Sequence, residues 1–208
     1  MPAPFSSVER ESTRRKLLDL GAKLFVEYGR DGLSMRKLAA EFGFASTMAL
    51  YRWFKNKEEL VLALRVDGFR RLGQAMEKAY KRPGTVRERH SAVIGAYLAF
   101  AKNNPNFYRV LFDTPLDRAT ASPELLDALG CLSWPMKAHA DLVAEENLVV
   151  ENLDTLATQM WSSLHGAILL DNVGLFPLGD IMTMQEATID ALIKCLPVKK
   201  GKPGARRR

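Results

Sequence analysis

The sequence predicts an all-α protein, with a three-helix helix-turn-helix head at its N-terminal end and a larger helical body behind it. Three observations predict this. Apolar residues recur at three- and four-residue spacing from residue 9 to residue 196, and nowhere do they alternate as in a strand. Helix-ending residues, among them Gly29, Gly43, Pro83, Gly84, Pro105 and Gly174, separate those segments. Residues 34–57, SMRKLAAEFGFASTMALYRWFKNK, hold two short helical patterns around a glycine-bearing turn. With 208 residues, 47% of them hydrophobic, the chain can bury a core as one large or two small domains.

Residues 1–8 are expected to be disordered, and the first helix runs from about residue 9 to residue 28. Leu17, Leu18, Leu24, Phe25 and Tyr28 lie on one face of it, and Gly29 and Gly32 bracket its end. Arg14, Arg15 and Lys16 near its start are either a solvated face or phosphate contacts. Ser34 caps the second helix by accepting a backbone N–H, and Met35, Leu38, Ala39 and Phe42 form its apolar face. Gly43 stands where a residue of positive φ ends a helix, with Phe44 anchoring the corner. Ser46 caps the third helix, in which Ala49, Leu50 and Phe54 face inward. That leaves Ser46, Thr47, Met48, Tyr51 and Arg52 on the outside, a small polar start with Tyr and Arg further on that suits a major groove.

Asn56 caps a longer helix from Lys57 to Pro83, softened at Gly68 and Gly73. The N–H groups of its first turn and Lys57 together offer a seat for a phosphate. The body continues with a helix over 85–102 and a short one after Pro105 that ends near Pro115. A helix from residue 122 or 123 breaks at Pro135, another spans 151–173, and a final one ends at residue 196. Residues 197–208 hold six basic residues, two Pro and two Gly, too little apolar surface to offset ordering entropy, so a disordered tail is expected. It is either a solubilising end or an arm that sweeps DNA without reading bases.

The run LSMRKLA, then Gly43, then ALYRWFKNKEELV resembles the N-terminal domain of the TetR family of one-component transcriptional regulators. Its most specific part is Leu50, Tyr51, Phe54, Lys57 and Leu60, at that family's spacing. Trp53 stands where the family often has His, and the turn before Leu50 is one residue longer than usual. The resemblance implies phosphate contacts from Tyr51 and Lys57. For Arg36 it implies a guanine contact, with a phosphate contact as the alternative. Ser34, Ser46, Thr47, Met48 and Arg52 complete the candidate DNA surface. Trp53 either covers the nucleic-acid backbone or packs on the first helix.

A second stretch, AYLAFAKNNPNFYRVLF with Trp161, His165 and Gly166, resembles the regulatory domain of a subtype named for its Trp-His-Gly motif. That resemblance implies a homodimer, with residues 1–56 as the DNA-binding head and residues 57–196 as a body that holds a small, largely apolar effector. Leu153, Leu156, Leu164, Ile189 and Leu192 are the expected dimer contacts. Candidates for lining the effector site are Phe69, Met76, Tyr97, Phe100, Phe107, Phe112, Trp134, Met160 and Trp161, each with ordinary core packing as its alternative. His165 is a core histidine with one hydrogen-bond partner or a polar group in that site.

Composition narrows the classes. No run approaches the ~20 apolar residues of a membrane span, and the first residues lack the apolar core of a secretory signal. Cys131 and Cys195 show no metal spacing and are expected to be buried, reduced thiols in a cytoplasmic protein. No nucleophile–base arrangement can be assembled, so neither catalysis nor a metal nor a cofactor is expected. Residues 1–60 carry 11 basic against 8 acidic residues, residues 61–196 carry 13 against 16, and the last twelve carry six against none. The two ends favour a polyanion and the middle does not. With this charge pattern, the resemblance implies a repressor that leaves a palindromic DNA site when an effector binds. A ligand-independent regulator or activator, or an all-helical carrier or enzyme, is the alternative.

Overall fold

The computed structural model describes residues 6–174 and 180–198. Their regular structure is helical: α1 (Ser7–Gly32), α2 (Met35–Phe42), α3 (Thr47–Tyr51), α4 (Lys57–Tyr80), α5 (Val86–Asn103), α6 (Pro105–Phe112), α7 (Pro123–Leu129), a 3-10 turn (Gly130–Leu132), α8 (Ser133–Glu145), α9 (Leu153–Asn172) and α10 (Ile181–Cys195). No strand occurs among the described residues; the nearest thing is one isolated bridge between Leu148 and Val198. None of these helices is long and apolar enough to cross a membrane.

The helix ends follow from local chemistry. α1 starts at Ser7, earlier than expected, because Ser6 and Glu9 form a reciprocal capping box. At the other end Gly29 leaves helical geometry at φ 72°, and its carbonyl accepts the Leu33 N–H. The Pro135 break is not observed. Pro135 instead sits in the first turn of α8, where its missing N–H would have had no intrahelical partner, and the chain turns earlier, through residues 130–132. Residues 199–208 lie outside the described residues. Pro197 and Val198 lie alongside residues 148 and 149, with the Val149 N–H donating to the Pro197 carbonyl at 2.7 Å.

The chain packs as two compact units, Met1–Gln74 with Ala99–Cys131 and Ala75–Leu98 with Leu132–Arg208. In the first, α1 buries Leu17, Leu18, Ala22, Leu24 and Phe25, and α4 contributes Leu60, Val61, Leu64, Phe69 and Leu72. Each such aliphatic or aromatic side chain stabilises by ~1.5–3 kcal/mol when fully buried. α6 adds Phe107, Tyr108, Val110 and Leu111. Gly68 and Gly73 of α4 let neighbours approach. A Cβ on Gly68 would lie 2.9 Å from Leu111 Cδ2, and one on Gly73 would lie 2.6 Å from Cys131 Cβ.

In the second unit, Leu142, Met160 and Ile189 form a core with Val86, Leu156, Leu192 and Ile193 packed around it. Two expected dimer contacts, Leu164 and Ile189, are thus buried within the chain itself, because the inner stripes of α9 and α10 are used up on their own unit. The large apolar residues exposed on or just beyond these helices are Leu169, Leu170, Val173 and Met184. Cys131 is buried as expected, and burial pushes its thiol up to about 12; Cys195, at the last position of α10, is exposed instead.

Candidate nucleic-acid interface

The head is assembled from short-range devices. The Ser34 hydroxyl accepts the Lys37 N–H at 3.1 Å and fixes the start of α2. Gly43 ends that helix at φ 85°, with its own N–H bonded to Ala40 and the Phe44 N–H bonded back to Ala39. These are the paired bonds of a Schellman ending. The Phe44 ring meets Phe42 at 4.8 Å and closes the corner. Beyond the turn, Leu50 and Phe54 are fully buried and hold α3 against the unit. Ser46, Met48, Tyr51 and Arg52 are exposed, Met48 at 72% and Tyr51 at 45%, while Thr47 is half-buried. Ser46 caps α3 by backbone geometry alone; its side chain makes no capping bond, which leaves the hydroxyl to the outer face.

Around this row the other candidates take different positions. Ser34 and Arg36 are exposed at the start of α2. Trp53 is half-buried and turned toward α1, with the Arg10 guanidinium 5.9 Å from its ring; Arg14 lies 5.8 Å from the Phe54 ring. The phosphate seat at α4 is narrower than expected. The Asn56 side chain takes the Glu59 N–H at 2.8 Å, and the Glu59 carboxylate takes the Lys55 N–H at 2.7 Å. The Lys57 ammonium donates to the Asp31 carbonyl at 3.2 Å, so it stands beside the head with donors to spare.

The candidates for an effector site divide between the two units. Phe69, Phe100, Phe107 and Phe112 belong to the first unit, where Phe69 meets Phe112 edge-on at 6.1 Å. In the second unit, Met76, Tyr97, Met160 and Trp161 line one small cavity of about 10 Å³, room for about one water. Trp134 stands apart from it, 5.4 Å from the Tyr80 ring and with the Lys137 ammonium 4.4 Å above its own. His165 joins the cavity through its wall. Trp161 Nε1 donates to Tyr97 Oη at 3.1 Å, and Tyr97 Oη lies 3.1 Å from His165 Nδ1. A second, open pocket of about 230 Å³ shares Pro135, His139 and Trp161 with the cavity, so those three side chains form a common wall.

Periodicity missed one pair. His90 Nε2 and His139 Nδ1 lie 2.8 Å apart, and both rings are almost wholly buried. Burial first, then the facing His139 and Arg87, lowers His90 to about 3; burial lowers His139 to about 4. The pair is therefore neutral near pH 7. A signal existed, since His90 shares the α5 stripe of Val93, Ile94 and Tyr97. Among the described residues no group of three or more His, Cys, Asp or Glu could hold a metal.

Comparison with known proteins agrees with this architecture. Residues 17–64 match the profile of the bacterial regulatory proteins of the tetR family, and residues 91–196 match that of a tetracyclin repressor-like C-terminal domain. The HTH-type transcriptional regulator Rv1816 of Mycobacterium tuberculosis is 30% identical over 119 residues, 55% of this chain and 50% of that protein. An uncharacterized HTH-type transcriptional regulator of Haemophilus influenzae is 33% identical over 106 residues, 50% of this chain and 51% of its own. The chain thus spans about half the length of the curated relatives it matches. Two solved structures share the fold. A Rhodococcus sp. RHA1 protein of unknown function has a TM-score of 0.74 at 24% identity, covering 94% of this chain and 98% of its own. The TetR family transcriptional regulator PfmR of Thermus thermophilus has a TM-score of 0.65 at 24% identity, covering 86% and 96%. With its C-terminal match alone extending over half of the chain, this protein belongs to the tetR family of bacterial regulatory proteins.

Proposed function

We propose that this chain is a homodimeric repressor that grips a palindromic DNA site through α2 and α3 and releases it when a small, largely apolar effector enters the helical body. The observation that carries the reading is the two-sided character of α3. Leu50 and Phe54 lock it into the head while Ser46, Met48, Tyr51 and Arg52 stand in solvent. A helix held this way can enter a major groove without unfolding anything. Arg36 reads a guanine, and Tyr51 and Lys57 hold phosphates. Residues 1–56 act as the head and residues 57–196 as the regulatory and dimerising body, of the Trp-His-Gly subtype. The Trp161, Tyr97 and His165 hydrogen-bond chain supports that subtype, because it ties the motif to the cavity wall.

Two heads of a dimer must sit roughly 34–36 Å apart, one turn of DNA or a related multiple, to read a palindrome. An effector that binds better to another spacing draws the population away from DNA. Rotation of Trp161 would merge the small cavity with the adjoining pocket and make room for such a molecule. Selecting duplexes from a random pool with the full chain, then screening small apolar molecules for release of the winner, tests the reading. Failure to enrich any sequence sinks it. The tightness of the cavity favours one alternative, a regulator that needs no ligand; a palindrome enriched but released by nothing would support that alternative.

A further inference from the structure

Arg65 of α4 is 7% exposed, yet none of the ion pairs among the described residues includes it. Its terminal nitrogens donate to two backbone carbonyls, Pro115 at 3.3 Å and Thr114 at 3.5 Å, and its Nε finds no acceptor. The Thr114 hydroxyl, on a residue 6% exposed, is also without a partner. After burial itself, the charge that most disfavours the Arg65 cation is another guanidinium, that of Arg30. Both arginines and Thr114 line an open pocket of about 420 Å³ in the first unit. A guanidinium buried without an anion is disfavoured, so the site is electrostatically incomplete.

The acids at the rim do not complete it. Asp117 is committed to its own loop, accepting the Ala119 N–H at 2.9 Å and the Thr120 hydroxyl at 3.0 Å. Glu58 is exposed in the first turn of α4. The Ser122 hydroxyl accepts the Leu125 N–H in capping α7. The remaining walls are apolar, with Val61 and Leu62 from α4 facing Leu116 and Leu125.

We propose that this open pocket binds a small organic anion, whose carboxylate or phosphate group is held by Arg65 and Arg30 and whose apolar body lies against Val61, Leu62 and Leu125. The planar fork of arginine matches both anionic groups, and the volume falls in the range of small-molecule sites. The site shares no wall residue with the cavity of the second unit, so it is a second site and does not depend on the repressor reading.

Calorimetric titration of the full chain with hexanoate, hexyl phosphate and neutral hexanol tests it, and no DNA is involved. One or both anions should bind one per chain, at least about tenfold tighter than hexanol, the worth of one charged hydrogen bond. Arg30→Gln, at an exposed position, should weaken anion binding by about tenfold or more with an unchanged circular dichroism spectrum. Leu62→Trp, which fills the half-buried wall, should abolish it. Arg65→Met should also abolish it, and the other two variants decide the matter if that one unfolds. The relative strength of the two anions tells carboxylate from phosphate. Equal affinity for hexanol, no binding of either anion at millimolar concentration, or anion affinities unmoved by both Arg30→Gln and Leu62→Trp would overturn the assignment.

Discussion

Acidification from about pH 7.5 to about pH 5 should destabilise the second unit through the buried His90 and His139 pair. An unfolded histidine takes up a proton near pH 6.5, whereas in the folded unit desolvation lowers these two to about 3 and about 4. Between those limits the unfolded chain binds more protons, so stability is complete above about pH 6.5 and is lost as pH falls toward the folded values. Each histidine contributes ~1.4 kcal/mol per pH unit, hence about 2 kcal/mol at pH 5 and about 4 kcal/mol for the pair. That is a large part of the ~5–15 kcal/mol that keeps a domain folded. Urea titrations followed by Trp134 and Trp161 fluorescence at several pH values would read it. The double variant His90→Leu with His139→Leu removes both titrating groups and replaces a hydrogen-bonded pair with an apolar one, which can be nearly neutral near pH 7. Asp67, raised chiefly by burial, adds a pH dependence of opposite sign, but it is present in both proteins and cancels in the comparison. Identical pH slopes for the wild type and the double variant would refute the reasoning.

Three further outcomes are expected. Lys57→Ala should weaken binding to all duplexes alike and lower the salt slope by about one contact, whereas Arg36→Ala should relax preference at one base pair by ~1–3 kcal/mol. Competition titrations with matched and mutated sites separate the two, and equal losses of preference would count against the assignment. Leu169→Glu or Val173→Glu, at exposed apolar positions of and just beyond α9, should shift a dimer toward monomer in sedimentation without loss of helicity. Leu192→Glu should unfold the second unit instead, because Leu192 packs on its core. Gly73→Ala should cost ~1–3 kcal/mol, since the new methyl would collide with Cys131, and an unchanged urea midpoint would show that the close approach relaxes freely.

The secondary structure and the head were readable before any contact was known. Ser34, Gly43 and Asn56 act on backbone groups within four or five residues, so their identity is enough to place the helix ends. The spacing of Leu50 and Phe54 likewise leaves Met48 and Tyr51 outside whatever the rest of the chain does. Other features depended on which helix meets which. His90 and His139 stand 49 residues apart and touch because α5 and α8 bring them to the same level. Gly68 and Gly73 leave room for Leu111 and Cys131, a close approach that only the packing reveals. Leu164 and Ile189 suited a dimer seam by periodicity, yet the inward stripe belongs to their own unit. Nothing in the sequence marks Arg65, whose burial follows from the loop whose Thr114 and Pro115 carbonyls accept its hydrogen bonds. A repeat of 3.6 residues tells which side chains share a face, but the rotation, crossing angle and axial level of one helix against another decide what that face touches.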